Sequence, residues 1–313
     1  MESPGTRAGR SSPSSARALW HRGGWPRASA VAMATLVTGT CFQARAWWRR
    51  PGSVSVKEMT HKAANSRSHI FAAGPLPGIS TVGKTFHTAR TGLRSTFGPM
   101  YAIEAPSTPD AAVIWLHGLG DTGEGWSDVG PQLQQQLRSV RFLFPTAPTQ
   151  PVTVNMGMSM PSWFDINSLD PRLFRRNPPG LAQSAEFVRQ LIKEQVDDGI
   201  APERVILAGF SQGGAVVLEA GLASTEFAVG GILVLSSFLG TKVPAQLPSP
   251  LPAIHFFHGQ ADQVVPISWG QRSLEELKAG DINASFKAYP GMQHSACAEE
   301  LQDIAAALTA ILA

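Results

Sequence analysis

The run Gly209-Phe210-Ser211-Gln212-Gly213-Gly214 sets a serine among three glycines, directly after the apolar segment Val205–Ala208. A serine hydroxyl is a weak nucleophile at neutral pH. Chemistry at Ser211 therefore needs a base to take its proton and an acid to orient that base. Asp262 directly follows AIHFFHGQA, and His294 directly follows ASFKAYPGMQ. The order serine, acid, histidine, each in a loop after a strand, is the order of the nucleophile-elbow arrangement. Ser211 reads as the nucleophile, His294 as the general base and acid, and Asp262 as the orienting acid. The chemistry is acyl transfer through a covalent intermediate. A bare G-x-S-x-G would arise by chance in roughly one chain in ten of this size, so context has to carry the assignment. His117, His255 and His258 fit the base role less well. They begin a loop before the serine, sit inside an apolar strand and end that strand, and they read as hydrogen-bonded structural residues.

The elements supply that context. Apolar runs at 111–116, 140–144, 204–209, 231–236, 253–259 and 284–289 read as strands. Helical spacing of apolar residues marks 124–137, 181–196, 212–222, 269–279 and 297–312. The strands lack polar alternation, as strands covered on both faces do. Alternation over about 210 residues predicts an α/β fold with a mostly parallel sheet and helices on both faces. The serine then falls at a strand-to-helix junction, where glycines at 209 and 213 remove side chains that would collide. The helix from Gln212 directs its first amides and positive dipole end at a developing oxyanion. His117-Gly118-Leu119-Gly120-Asp121 ends the strand 111–116. It offers the Leu119 N–H as one oxyanion donor, with the Gln212 N–H as the other. As a phosphate cradle this loop lacks the Walker lysine and the full G-x-G-x-x-G spacing.

Five blocks complete the pattern: VIWLHGLGDTGEGW, PVTVNMGMSMPSWFDI, GFSQGGAVVL, HGQADQVVP and YPGMQHSAC. In this order they resemble the acyl-protein thioesterase and lysophospholipase family of small α/β-hydrolases, which includes broad carboxylesterases. The likeness runs from about residue 111 to 312. It implies an α/β-hydrolase fold and the triad and oxyanion roles named above. It implies no cofactor, and no metal-ligand cluster is visible. The resemblance also implies an apolar acyl groove under a loop, with Met158, Met160, Ile166, Leu169, Phe238 and Val265 as candidates and Leu119 nearby. Phe238 stands where the thioesterases usually carry tryptophan. Arg172, Arg175 and Arg176 are basic where the animal thioesterases are acidic and polar. They read either as a solvated loop or as contacts to anionic lipid headgroups. The expected activity is hydrolysis of acyl thioesters or carboxylic esters, with S-palmitoyl groups on proteins among the substrates. A broad carboxylesterase or lysophospholipase is the alternative. A catalytically silent binding module would not require the full set of reacting groups.

The chain has 313 residues and a net charge of +3 that averages two unlike parts. Residues 1–100 carry 14 Lys/Arg against 2 Asp/Glu, and residues 101–313 carry 12 against 21. The acidic part gives no reason to expect a nucleic-acid partner. Residues 1–95 are rich in Ser, Arg, Gly and Ala, a targeting composition that predicts a plastid or mitochondrial presequence. The alternative is a cytoplasmic protein started at an internal Met33, Met59 or Met100. The apolar stretch 28–42 is too short for a stable membrane span. The folded domain is expected to begin near 100 and its first strand at Ala111. Cys41 and Cys297 fall one in each part, so no disulfide framework is expected. Cys297 reads as a packed thiol on the apolar stripe of the last helix. The oligomeric state is left open.

Overall fold

Strands that are apolar throughout need a layer on each side, and the chain supplies both. The computed structural model describes residues 85–86, 96–168, 170, 176–224 and 226–313. Its main sheet contains β1 (Thr85–Phe86), β2 (Met100–Ile103), β3 (Ala111–Leu116), β4 (Val140–Pro145), β7 (Val205–Phe210), β8 (Gly231–Leu235), β9 (Ala253–Gly259) and β10 (Ala284–Tyr289). The order across the sheet is β1-β2-β4-β3-β7-β8-β9-β10. The pairs from β4 to β10 are parallel, while β1–β2 and β2–β4 are antiparallel. A separate hairpin joins β5 (Thr149–Val152) to β6 (Met158–Pro161).

The period-two direction of side chains sorts each strand between two cores. Ala112, Ile114, Leu207, Ile232, Val234 and Phe256 face α3 (Leu181–Asp197), α4 (Gln212–Leu222) and α5 (Ile267–Ala279). Their neighbours Val113, Trp115, Ile206, Ala208 and Leu233 face α1 (Gly123–Trp126), α2 (Val129–Gln134) and α6 (Ala298–Leu312). This is the expected α/β-hydrolase fold, with helices on both faces.

Four local expectations change. The first strand is not Ala111–Leu116, because Met100–Ile103 pairs with β4 and Thr85–Phe86 pairs with β2. The sheet thus takes in two residues of the segment read as a pure extension. The helix read over 124–137 is two short helices broken at Ser127–Asp128. Pro131 has no N–H and fits only a first turn, so a new helix must start just before it. The β5–β6 hairpin was not expected, since Pro151 and Pro161 and the lack of alternation disguise it. Cys297 packs against the core as a packed thiol should, but from just ahead of α6 rather than on its stripe. It is the N-cap, half-buried, and its Sγ accepts from the Glu300 amide at 3.4 Å.

Candidate active site

The glycines around Ser211 are required by close approach. A Cβ on Gly209 would stand 2.5 Å from the backbone of Gly213, and one on Gly213 would stand 2.5 Å from the Leu116 carbonyl oxygen. A Cβ on Gly214 would meet Ser237 Cβ at 2.5 Å. Strand β7, helix α4 and the end of β3 therefore cross with no room for side chains. Ser211 takes φ 52° and ψ −117°, a left-handed turn that lifts its side chain clear of the sheet. Its amide donates to Leu235 O at 2.8 Å, and Ser237 Oγ donates to its carbonyl. The side chain is half-buried and so can be reached.

Asp262 and His294 come to it from loops after β9 and β10. His294 Nε2 lies 2.9 Å from Ser211 Oγ, and His294 Nδ1 lies 2.7 Å from Asp262 Oδ2. This fixes the tautomer. Nδ1–H donates to the carboxylate, and Nε2 is free to accept from the hydroxyl. The Phe210 ring backs the imidazole at 4.7 Å between centroids. Asp262 is buried, and burial alone would raise its pKa. Hydrogen bonding from His258 and His294 and from the Val265 amide outweighs that and holds the carboxyl well below the usual range. Its Oδ1 accepts from the amides of Val264 and Val265, each at 2.9 Å.

The loop after β3 faces the same serine. A Cβ on Gly118 would meet Ser211 Cβ at 3.4 Å. Leu119, half-buried, follows it. Gln212 opens α4, so its N–H has no acceptor within the helix. The Gln212 side chain is buried and bonded throughout. Nε2 donates to Phe164 O at 2.7 Å and Ser162 Oγ at 3.0 Å, and Oε1 accepts from the Trp163 amide at 2.8 Å. Trp163 Nε1 donates to His117 O at 2.9 Å. His117 Nε2 accepts from the Ala147 amide at 3.0 Å, so Nδ1 carries the proton and faces Gly118 O at 2.6 Å. Burial pushes His117 down to about 4, which keeps it neutral. Apart from the His117–Gly118 contact, these bonds link residues 30 or more positions apart and leave no local pattern in the sequence.

The six groove candidates separate. Met158 is exposed on the hairpin, and Met160 Sδ lies 3.7 Å from where a Cβ on Gly120 would stand, over the loop after β3. Phe238 meets Trp269 edge-on at 4.8 Å and lines a cavity of about 140 Å³ with Leu239, Arg176 and Arg272. Ile166 and Val265 are buried in the core on the α3–α4 face. Leu169, Arg172 and Arg175 lie outside the described residues. Arg176 forms a two-pronged pair with Glu276. Among the described residues there is no cluster of three His, Cys, Asp or Glu able to hold a metal, and no helix is long and apolar enough to cross a membrane.

Comparison with known proteins fits this geometry. The family described as phospholipase/carboxylesterase matches residues 99–312. Acyl-protein thioesterase 1 of Gibberella zeae is 43% identical over 216 residues, covering 65% of this chain and 92% of the relative. The protein of the same name from Mycosarcoma maydis is 43% identical over 222 residues, with coverage of 65% and 92%. Among crystal structures, Arabidopsis thaliana SOBER1 superposes with a TM-score of 0.61 at 33% identity, over 65% of this chain and 99% of that one. Zea mays acyl-protein thioesterase 2 gives 0.61 at 30% identity, over 69% and 100%. The chain belongs to the phospholipase/carboxylesterase family of α/β-hydrolases.

Proposed function

We propose that this hydrolase cleaves acyl thioesters and carboxylic esters through Ser211, His294 and Asp262, with S-palmitoyl groups on proteins as the principal substrate. The observation that carries the reading is the chain of contacts from Ser211 Oγ through both nitrogens of His294 to Asp262. In the forward step Ser211 Oγ attacks the acyl carbon, and its proton passes to His294 Nε2. Charge gathers on the carbonyl oxygen, where the Leu119 and Gln212 amides are to receive it. Collapse expels the thiolate or alkoxide, which takes the proton from His294. Water then attacks the acyl-enzyme with His294 again as base, releasing the acid and free Ser211. Asp262, ionised at every physiological pH, stabilises the imidazolium in both halves.

The names of the thioesterase relatives favour thioesters, and Met160 over the oxyanion loop offers an apolar surface to the acyl chain. A buried methylene contributes about 0.8 kcal/mol at most, so a groove that holds the chain makes turnover climb with its length. The test is a graded series of acyl thioesters and oxyesters below their micelle concentrations. We expect kcat/KM to rise from C4 to at least C10 and to be higher for thioesters. A steady decline beyond C6 in both series would instead support a carboxylesterase for short esters. A fluorophosphonate probe should label the wild type and not Ser211→Ala, whose turnover should fall roughly 10⁴-fold or more. Labelling that survives Ser211→Ala would overturn the mechanism. The Arg- and Ser-rich composition of residues 1–95 supports organelle targeting, tested by fusing them to a fluorescent reporter.

A further inference from the structure

A second histidine stands behind the acid. His258, the last but one residue of β9, is fully buried. Its Nε2 is 2.8 Å from Val265 O and 3.5 Å from Asp262 Oδ2. A carbonyl oxygen can only accept, so Nε2 carries the proton and donates it. The same Val265 sends its own amide to Asp262 Oδ1. The imidazole therefore fixes the residue that fixes the carboxylate, and it turns an N–H toward the oxygen that receives His294. The other ring nitrogen, Nδ1, has no hydrogen-bond partner among the described residues. Packing holds that side. The Phe286 ring stacks at 6.2 Å, and a Cβ on Gly270 of α5 would stand 2.8 Å from Nδ1. A ring wanted only for bulk would bury no unpaired nitrogen, and the donated bond is what an apolar ring could not supply.

We propose that His258 is a positioning residue for Asp262. As the Nε2–H tautomer it locks the Val264–Val265 turn, so that Asp262 Oδ2 meets His294 Nδ1 in line. Gly270 is the opening in α5 that lets the ring sit there. The proposal rests on the reading of Ser211, His294 and Asp262 as the reacting set. It assigns a role to a residue that touches neither the substrate nor the serine.

The test compares His258→Phe, which keeps a flat ring and removes the donor, with His258→Gln, whose side-chain amide can donate from about the same place. Steady-state kinetics on a short soluble ester are paired with proton NMR of the downfield His294 Nδ1–H resonance and with thermal melting. His258→Phe should lower kcat about tenfold with KM within about twofold, since the misplaced group is the acid and not the binding surface. It should also shift or broaden the downfield resonance in folded protein. His258→Gln should restore most of the kcat and the resonance. Should His258→Phe not fold, Gly270→Ala carries the test. Its methyl pushes the ring off Val265, and the same two signals should change. Wild-type kcat and resonance in His258→Phe, or in Gly270→Ala where that variant stands in, overturn the proposal. Equal impairment of the Phe and Gln variants would show a packing role and overturn it as well. Failure of the underlying reading looks different. The wild type itself would then neither turn over esters nor take the fluorophosphonate label.

Discussion

Ser211 occupies a backbone region that costs a non-glycine residue on the order of 1–3 kcal/mol, and the glycines on either side make that position obligatory. Gly213 shows how tight the crossing is. A methyl there would stand 2.5 Å from Leu116 O and 2.7 Å from His117 O, both backbone atoms with little freedom. Gly213→Ala must displace the end of β3, and with it the loop carrying the Leu119 amide. We expect kcat/KM to drop by about 10²-fold or more, with a loss of about 1–3 kcal/mol in stability by urea titration. An unchanged kcat/KM would show that the crossing has slack. At this scale the sequence was most legible for Ser211, Asp262 and His294, which the fold brings within hydrogen-bonding reach of one another. Each is a chemically distinctive residue in a short loop after an apolar strand. The supports were not legible. Gln212 could be placed as an amide donor, but its side chain's grip on Ser162–Phe164 depends on residues about 50 positions earlier. The contact of Phe210 with His294 is likewise made only by the folded sheet.

Helix α6 begins with an unusual pair. Cys297 is a weak cap, where Ser, Thr, Asp or Asn would be stronger, and Glu300 three residues on is fully buried with neither oxygen hydrogen-bonded among the described residues. Burial raises the Glu300 carboxyl to about 8. In the unfolded chain it ionises near ~4.3. Between those values the folded protein keeps a proton that the unfolded chain has released. Stability from this group therefore falls as pH rises through the window and levels off above about 8. Glu300→Gln should remove that slope. Its gain over the wild type at pH 8 should exceed its gain at pH 5 by at least ~1 kcal/mol, read from melts at the two pH values. Parallel pH profiles for the two proteins would show that the carboxyl is ionised in the native state. Helices and strands with clean periodicity were readable in advance, α3 and β7 above all. Elements that rest on pairing rather than periodicity were not. Neither the β5–β6 hairpin nor the short β2 has a side-chain pattern of its own.

For the molecule as a whole, the question is where the folded domain begins. We propose that the closely packed part starts at about Thr96, a little earlier than the residue 100 that composition indicates, with the two-residue β1 an edge addition ahead of it. Phe97 stacks on Phe187 of α3 with centroids 3.8 Å apart and a 7° tilt, and it also approaches Trp163. The Gly98 amide donates to Thr146 O. A chain beginning at Thr96 loses only the two-residue edge strand β1, so it should melt slightly below the full-length protein and keep its turnover. A chain beginning at Met100 loses the Phe97 ring and should be less stable by about 2–4 kcal/mol, toward the lower end if the site collapses. Equal melting of the two truncations would remove Phe97 from the fold's account. The composition shift near residue 100 was visible in the sequence, but a lone phenylalanine in a polar stretch gives no sign that it will be stacked.

The position of β10 at the outer edge of the sheet has a kinetic consequence. The strand is paired on one side, with β9, and it is followed by the loop bearing His294 and by α6. β10 and the His294 loop can thus fray from β9 while α6 stays packed over β3, β7 and β8, and subglobal openings of this kind cost less than full unfolding. Detachment takes His294 away from a Ser211 that is otherwise intact. The enzyme should go silent before it unfolds. Activity should be lost at a urea concentration below the midpoint reported by fluorescence of the buried tryptophans, and amides of β10 should exchange faster than those of β7. Coincident midpoints would mean that the edge opens only when everything does.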